Sequence, residues 1–295
     1  MKHSDYPCLF QKSDTASLQQ QGRYLLAMKA EFLFILLSAF AGGFILIGNP
    51  KACITCSIIS AVSIFLAFVV RICVQLNKWD RKWFDTRAIA ESAKTATWRY
   101  IMAVEPYAGT LSQTDADKKF VEELDEIFKA RPEAHSAMAS CVPVGDQQIS
   151  DRMREIRGRL LNQRKEIYLN QRIRDQKDWY RKKAKINADN ESRWSFLILG
   201  CEVVGIFTAF GLIFWPEILF NPVGVITTLT AIFCAWVQIK NYREQSQSYA
   251  MAEQELTSIE SLINDVSTDN AFSDHVVNTE GAISREHTMW CAKRI

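Results

Sequence analysis

Residues 32–50 read FLFILLSAFAGGFILIGNP, and after the single Lys51, residues 52–70 read ACITCSIISAVSIFLAFVV. Both runs lack charged side chains, and the two are equal in length. About 20 apolar residues in a helix cross the hydrocarbon core of a bilayer, so each run is long enough to span it. Pro50 cannot continue the hydrogen bonding of the first helix, and the Gly and Asn before it tolerate the backbone angles of a tight reversal. The stretch therefore predicts a transmembrane helical hairpin.

A second pair of apolar runs predicts a second hairpin. It lies at residues 195–216 and 225–239, with a turn predicted at 217–224. After each hairpin the chain continues with a similar sequence, VQLNKW at residues 74–79 and VQIKNY at residues 237–242. Similar segments at corresponding positions indicate a duplicated unit.

The charges around the hairpins predict the orientation of the chain. Lys and Arg residues stand before and after both hairpins, whereas the first turn carries only Lys51. By the positive-inside rule, both termini then lie in the cytoplasm, and the two copies are parallel rather than inverted repeats. No secretory signal peptide is expected, because the segment 1–31 contains no long apolar core. The predicted fold class is an all-α membrane protein with two parallel-repeat transmembrane helical hairpins, four spans in all, and long cytoplasmic helices.

Composition divides the chain into four parts, with the boundary at a turn-rich stretch that contains two Pro and one Gly. The predicted parts are a polar, poorly ordered N-terminal arm at 1–15, the first hairpin with its cytoplasmic helices at 16–130, a linker at 131–150, and a basic helix, the second hairpin and an acidic C-terminal helical region at 151–295.

Charge is unevenly distributed in the last of these parts. Residues 151–185 hold thirteen Lys and Arg against five acids, whereas residues 253–295 hold eight acids against three bases. The basic helix and the acidic region either pair with each other or remain two solvated faces, and the sequence leaves both alternatives open.

The basic segment is predicted to form one continuous helix over residues 151–193 with an apolar seam. The seam residues follow helical spacing and are Met153, Ile156, Leu160 and Ile167. This face is expected to contact another helix, a protein partner or lipid headgroups, whereas nucleic acid binding is not expected. The candidate contact residues for a partner or lipid are Arg157, Arg159, Arg164 and Lys165.

Glu202 is the most distinctive single residue, because it falls within the third predicted span, about 12 Å beyond Trp194 along a helix. A carboxylate at that depth costs several kcal/mol unless it faces water or a partner, or is protonated. Glu202 is therefore a candidate pore-lining or proton-sensitive residue. The alternatives are a neutral, hydrogen-bonded Glu in a helix contact or a span boundary misplaced by one turn.

Small residues four apart in the spans, such as Ser38 with Gly42 and Gly205 with Ala209, favour close helix packing within or between subunits. Because four short spans are few for one pore, any aqueous path is expected between subunits, and we expect a homo-oligomer.

Catalytic and metal-binding motifs are not found in the sequence. The four His residues are scattered, and no phosphate-binding glycine loop or nucleophile motif occurs. Cys53 and Cys56 have the CxxC spacing, but they start an apolar helix without a second Cys or His pair, so a packing role is favoured. We therefore predict a protein that is not an enzyme and that needs no metal or cofactor.

Three blocks of sequence resemble the SLATT family of two-transmembrane effectors associated with bacterial second-messenger synthetases and nucleotide-sensing domains. They are WFDTRAIAESAK with the following TWRY at residues 83–100, DQKDWYRKKA at 175–184 and ISREHTMW at 283–290. The family-motif residues in these blocks are Trp83, Arg87, Glu91, Lys94, Trp98, Arg99, Tyr100, Trp179, Tyr180, Lys183, Arg285, Glu286 and Trp290. This chain departs from the simplest family layout by having two hairpins.

The resemblance implies a bacterial inner-membrane protein of a conflict system, whose membrane segments act as a toxic pore or disruptor in antiviral defence by abortive infection. It implies a trigger from a separately encoded sensor or nucleotide-signalling protein, and it supplies no catalytic residues. From their spacing alone, Arg87, Glu91 and Lys94 are expected to form a charged ladder on one helix. A structural role is favoured for the ladder, with ligand or partner recognition as the alternative.

The leading hypothesis is an oligomeric effector that permeabilises the membrane when it is triggered. One alternative is a housekeeping ion channel or transporter, and another is a membrane-anchored scaffold that recruits a cytosolic enzyme through the basic helix at 151–185. Direct nucleotide binding by the same basic surface is weaker, because scattered Lys and Arg do not define a phosphate cradle.

Overall fold

The computed structural model describes residues 1–44, 49–143, 145–215, 219–263 and 266–292, and for residues 285–292 it describes the backbone only. Part of each predicted membrane turn therefore lies outside the described residues. Within these ranges the structure contains α-helices, a short 3-10 turn and one π-helical segment, and no strand. The predicted all-α class is confirmed.

The helices are numbered in chain order. They are α1 (Cys8–Gly42), α2 (Pro50–Asn77), α3 (Trp79–Ile101), α4 (Gln113–Lys129), α5 (Pro132–Met138), α6 (Asp151–Arg157), α7 (Leu161–Tyr168), α8 (Asp175–Phe214), α9 (Val223–Lys240), α10 (Tyr242–Leu262) and α11 (Asp269–Ala292), and the π-helical segment Leu169–Arg174 joins α7 to α8.

Among the described residues, four helical stretches are long and apolar enough to cross a membrane, as the sequence predicts. They contain α1, α2, the second half of α8, and α9. In the most apolar windows of the third and fourth stretches, none of the residues is buried by the rest of the chain. The structure is therefore that of a multi-pass membrane protein whose spans leave most of their apolar surface uncovered by the chain itself.

The chain forms two compact units, and each is assembled from separate segments. We call residues 1–21, 80–184 and 247–295 the polar unit, and residues 22–79 and 185–246 the membrane unit. The linker at 131–150 lies inside the polar unit, and its role as a domain boundary stays a prediction.

The N-terminal segment, residues 1–15, differs from the predicted polar, poorly ordered arm. Helix α1 begins at Cys8, and the side chains of Tyr6, Leu9 and Phe10 are buried in the core of the polar unit. The polar composition of this segment is misleading, because its polar groups are satisfied locally. The Ser13 hydroxyl, for example, donates to the Leu9 carbonyl at 2.8 Å.

The basic segment also differs from the predicted continuous helix. Helix α6 ends at Arg157, and Leu160 has an extended backbone before α7 begins. This break changes the phase of the seam, so Leu160 is 75% exposed while Met153 and Ile156 are fully buried.

Two side-chain contacts join the helices of the first hairpin in the membrane unit. The hydroxyls of Ser38 and Ser60 lie 2.8 Å apart. Arg71 donates from Nε and Nη2 to Oε1 of Glu31 at 3.0 and 2.7 Å. Glu31 is buried, and its other oxygen has no hydrogen-bond partner among the described residues. Arg71 therefore connects α2 to α1 through a buried carboxylate.

The two hairpins leave the membrane unit through the same backbone geometry. Lys78 separates α2 from α3, and Asn241 separates α9 from α10, both with a left-handed φ of 50°. Each donates its N–H to a carbonyl four residues earlier, Val74 at 3.0 Å and Val237 at 2.7 Å. The preceding helices differ in length, with 28 residues in α2 and 18 in α9. The similarity of the two exit sequences is thus matched by a similarity of backbone conformation.

We expect Lys78→Gly to be more stable than Lys78→Ala by about 1 kcal/mol, because the left-handed conformation penalises any Cβ. The comparison between Ala and Gly removes the Lys side chain from both variants and isolates the backbone effect. Thermal unfolding of the purified protein in nanodiscs measures the difference. At the helical position Leu76, the same pair of substitutions should have the opposite sign. A Gly variant at residue 78 that is less stable than the Ala variant would contradict the backbone assignment.

We expect Arg71→Met to destabilise the membrane unit by about 1–3 kcal/mol, because it leaves the buried Glu31 carboxylate without its partner. The double variant Glu31→Gln with Arg71→Met should recover part of this loss. Thermal unfolding in nanodiscs compares both variants with Arg243→Met, which removes a 76% exposed Arg at 3.9 Å from Glu191. An equal loss in Arg71→Met and Arg243→Met would refute a special role for the first pair.

Candidate functional site

The C-terminal end of α3 leaves backbone carbonyls without helical partners, and two arginines donate hydrogen bonds to carbonyls in this region. Nη1 of Arg157 donates to the carbonyls of Tyr100 and Tyr107 at 2.8 and 2.9 Å. Nη1 of Arg164 donates to the Met102 carbonyl. Both Arg side chains are buried, and burial lowers the pKa of Arg157. The two arginines therefore stabilise the end of α3 from inside the polar unit.

This placement changes the interpretation of the basic surface. Arg157 and Arg164 are not presented to a partner or to lipid, so the candidate contact surface loses both. Lys165 is partly buried and donates to the Val266 carbonyl at 2.8 Å, and Arg159 forms an ion pair with a nearby acid. The sequence shows that Arg157 is positively charged. It does not show that the Tyr100 carbonyl, 57 residues earlier in the chain, needs a hydrogen-bond donor.

A buried ion pair lies at the centre of the polar unit. Nε and Nη2 of Arg172 donate to the two carboxylate oxygens of Glu280 at 2.8 and 2.6 Å, and the Tyr168 hydroxyl donates to the same carboxylate at 3.0 Å. The side chains of Arg172 and Glu280 are 2% and 0% exposed. Removing two charges from water is costly, and the cost is offset only when the contact is bidentate and the remaining lone pairs are bonded. Both conditions are met here.

The π-helical segment Leu169–Arg174 carries Arg172 into the core. Segments of this kind occur frequently at functional sites, and their changed helical phase cannot be read from hydrophobic spacing. Arg172 and Glu280 were not identified from the sequence. A signal for Glu280 exists, because it lies four residues after Val276 and eight after Phe272, on an otherwise apolar stripe of α11.

Further ion pairs join the basic segment to the acidic region. Arg174 contacts Glu260 at 2.7 Å, and Arg181 contacts Glu253 at 2.7 Å. Of the two alternatives that the charge distribution left open, pairing is therefore the correct one. Because these outer pairs are partly exposed, removing one partner costs less than it does in the buried pair, where the remaining charge has no access to water.

The family-motif residues of α3 divide between the core and a charged edge. Arg87 contacts Asp14 at 3.2 Å and also Glu91, so the first step of the predicted ladder forms. Lys94 makes no hydrogen bond or ion pair with any described residue. It is partly buried, and burial, together with the nearby Arg172, lowers its pKa.

The aromatic motif residues of α3 are buried. The indole N–H of Trp98 donates to the Tyr6 hydroxyl at 3.2 Å, and burial raises the pKa of Tyr6 to about 12. The ring of Trp83 stacks on that of the adjacent Phe, and the ring of Tyr100 lies beneath the Arg157 guanidinium, at 5.0 Å. Nε of Arg99 is buried and has no hydrogen-bond partner in the described part of the chain.

The motif residues of α8 form a contact with α10. The rings of Trp179 and Tyr180 lie 5.3 and 5.7 Å from the ring of Tyr249, and Lys183 lies over Trp179 at 5.7 Å. Tyr180 is 1% exposed and packs with Leu256. This aromatic pair therefore forms part of a helix interface.

Three motif residues cannot be placed in the site. The side chains of Arg285, Glu286 and Trp290 lie outside the described residues, although the backbone of α11 passes through these positions.

Glu202 lies in the membrane-spanning half of α8, and its side chain is exposed. No described residue forms a hydrogen bond or an ion pair with it. Helix α8 packs closely against α9 at Gly205. A Cβ added to this glycine would lie only 3.3 Å from Cγ2 of Ile226 on α9. Glu202 is therefore not covered by the part of the chain that the structure describes. Across the same described residues, no cluster of His, Cys, Asp and Glu could hold a metal ion.

We expect Arg172→Met to destabilise the polar unit by about 3–5 kcal/mol, because it leaves Glu280 charged and buried without a partner. Adding Glu280→Gln should restore part of the loss, since the amide oxygen still accepts from Tyr168. Unfolding of the purified full-length protein, followed by Trp fluorescence, measures the effect. Arg174→Met is the matched control, and its 52% exposed side chain predicts a loss of about 1 kcal/mol or less. Similar losses in the two single variants would disprove the central role of the buried pair.

Comparisons with known protein families match almost the whole chain. A family described as "SMODS and SLOG-associating 2TM effector domain 3" matches residues 7–165, and one described as "SMODS and SLOG-associating 2TM effector domain 1" matches residues 168–290. Searches of curated proteins and of solved structures gave no match. The two ranges agree with the duplication and with the resemblance inferred from the motifs. The chain therefore belongs to the SMODS and SLOG-associating two-transmembrane effector (SLATT) family and carries two such domains in tandem.

Proposed function

We propose that this membrane effector assembles into a homo-oligomer that permeabilises the bacterial inner membrane as part of a conflict system. In this proposal the termini and the polar unit lie in the cytoplasm, where a separately encoded sensor or nucleotide-signalling protein supplies the trigger. Membership of an effector family associated with such systems supports the setting. The chemistry of the membrane unit supports the mode of action.

The exposed carboxylate of Glu202 is the observation that carries the proposal. A charged side chain facing lipid near the middle of a span costs several kcal/mol, and such residues almost always face a bundle interior or a water-filled cavity. Since no described residue of the same chain pairs with Glu202, the compensating surface comes from another copy, from water, or from both. An assembly in which the α8 helices surround an aqueous path supplies both.

A second acid in the membrane unit, Glu31, has a partner within the described part of the chain, unlike Glu202. Glu31 is buried and bonded to Arg71 within the hairpin, so a single chain already satisfies it in part. Glu202 lies on the exposed surface instead. This difference supports a structural role for Glu31 and an intersubunit role for Glu202.

Helix α8 offers a route for the trigger. It is one helix of 40 residues, about 60 Å long, and it carries both the Trp179–Tyr180 contact and Glu202. A partner that alters the contacts of its polar half acts on the same helix that carries the membrane carboxylate. The scaffold alternative is weaker, because two of its four contact residues, Arg157 and Arg164, are buried.

We expect Glu202→Leu to lower triggered permeabilisation by about tenfold or more, and Glu202→Gln to retain part of it, because Gln keeps hydrogen-bonding capacity without charge. Membrane potential and dye entry are followed in cells that express the full triggered system, with membrane insertion measured for each variant. Thr208→Val is the matched control, since Thr208 lies on the same span and its hydroxyl is bonded to the Val204 carbonyl. It should behave as the unsubstituted protein.

Two outcomes would overturn the proposal in different ways. Unchanged activity in both Glu202 variants would make this residue a packing position, and death of triggered cells with intact membranes would exclude permeabilisation. Conductance of the purified protein without any trigger would favour the housekeeping channel instead.

A further inference from the structure

The polar unit contains a small polar cavity of about 240 Å³ beside the buried ion pair. Its lining includes Tyr6, Trp98, Lys94 and Arg172 of the π-helical segment. We refer to it as the Lys94 cavity. It differs in character from a larger, mainly apolar groove of about 600 Å³ elsewhere in the same unit, whose lining includes the acids Glu122 and Asp125.

Lys94 lines the cavity, and no described residue forms an ion pair with it. Two acids that act on the charge of Lys94 are paired with other cations. Glu91 forms an ion pair with Arg87, and Glu280 forms one with Arg172. No described residue accepts a hydrogen bond from Lys94. The lowered pKa of Lys94 reflects the same imbalance, because desolvation and Arg172 outweigh the acids. An anion in the cavity would supply the missing acceptor.

The remaining polar groups of the lining favour an acceptor-rich ligand. The amino group of Met1 donates to Oε1 of Gln171 at 2.7 Å, and both residues line the cavity. Gln176 adds a second side-chain amide, and Asp175 is the carboxylate of the described lining. Ammonium and amide donors therefore outnumber the single described carboxylate of the lining, and the nearby Glu280 carboxylate is already bonded on both oxygens.

The local backbone provides an independent reason to regard this cavity as a site. Gln171 and Arg172 are consecutive residues of the π-helical segment, and both line the cavity. Single π-helical turns within helices are rare and are frequently found at functional sites. Here the segment places the Gln171 amide and the buried Arg172 guanidinium in the lining of the cavity, which also contains Lys94.

We propose that the Lys94 cavity binds a phosphoryl group, either as free phosphate or as the terminal phosphate of a nucleotide. Pockets for whole drug-sized ligands start at roughly 300 Å³, so this smaller cavity fits the anionic end of a molecule. A phosphoryl group offers several acceptor oxygens to the ammonium and amide donors, whereas a carboxylate offers two. Binding at this site goes beyond the proposed membrane activity and does not depend on it.

The test is a titration of the full-length protein in nanodiscs by isothermal calorimetry at constant ionic strength. The probes are inorganic phosphate, AMP, adenosine and acetate. We expect phosphate, AMP or both to bind, and acetate and adenosine to bind at least about tenfold more weakly. Tighter binding of AMP identifies a nucleotide phosphate as the ligand type, and tighter binding of phosphate identifies the free anion. Equal binding of adenosine and AMP would overturn recognition of the phosphoryl group.

Lys94→Met separates ligand binding from folding. The substitution removes a poorly compensated charge and keeps an unbranched apolar side chain, so we expect folding to be retained, as checked by thermal unfolding without ligand. The affinity for the bound phosphate probe should fall at least about tenfold. Lys118→Met on α4, where the Lys is 75% exposed, is the control and should bind as the unsubstituted protein. Undiminished binding in Lys94→Met, or absence of phosphate and AMP binding in the unsubstituted protein, would refute the site.

Discussion

The bidentate contact between Arg172 and Glu280 is the constraint on which the polar unit depends. It joins the π-helical segment to α11 through two residues that lie 108 positions apart and are almost fully buried. A buried pair gives little net stability, but losing either partner leaves a charge that the core cannot solvate. The pair therefore favours packings that keep the two side chains and the Tyr168 hydroxyl together.

The membrane part of the fold follows from the sequence more directly than the polar part. Transmembrane spans need only a local run of apolar residues, so four of them are recognised without knowledge of tertiary contacts. The positions of Arg157 and Arg164 depend instead on carbonyls at the end of α3, which composition does not reveal. The π-helical segment shifts the helical phase, and the break at Leu160 does the same, so a seam projected from residue 153 loses its register.

Glu31 and Glu202 illustrate how far single residues can be interpreted from sequence. Glu202 is conspicuous because apolar residues surround it along the chain, and the structure places it on the exposed face of α8. Glu31 immediately precedes the first apolar run, where an acid is not unusual, yet it is the more deeply buried of the two. Its partner Arg71 is 40 residues away, so the pair becomes visible only when the hairpin closes. The position of an acid within an apolar run therefore does not predict how deeply its side chain is buried in the folded chain.

The unequal lengths of α2 and α9 have a consequence for the surrounding lipid. Helix α9 has 18 residues and is about 27 Å long, whereas α2 has 28 residues and is about 42 Å long. The charge-free run inside α2, residues 52–70, is about 28 Å long, so it is close to α9 in length and to a hydrocarbon core of about 30 Å. The extra length of α2 is its C-terminal part, which carries Arg71, Gln75 and Asn77. Both spans therefore suit the same bilayer thickness, and α2 continues as a helix into the headgroup layer, whereas α9 ends at Lys240, close to the edge of the core.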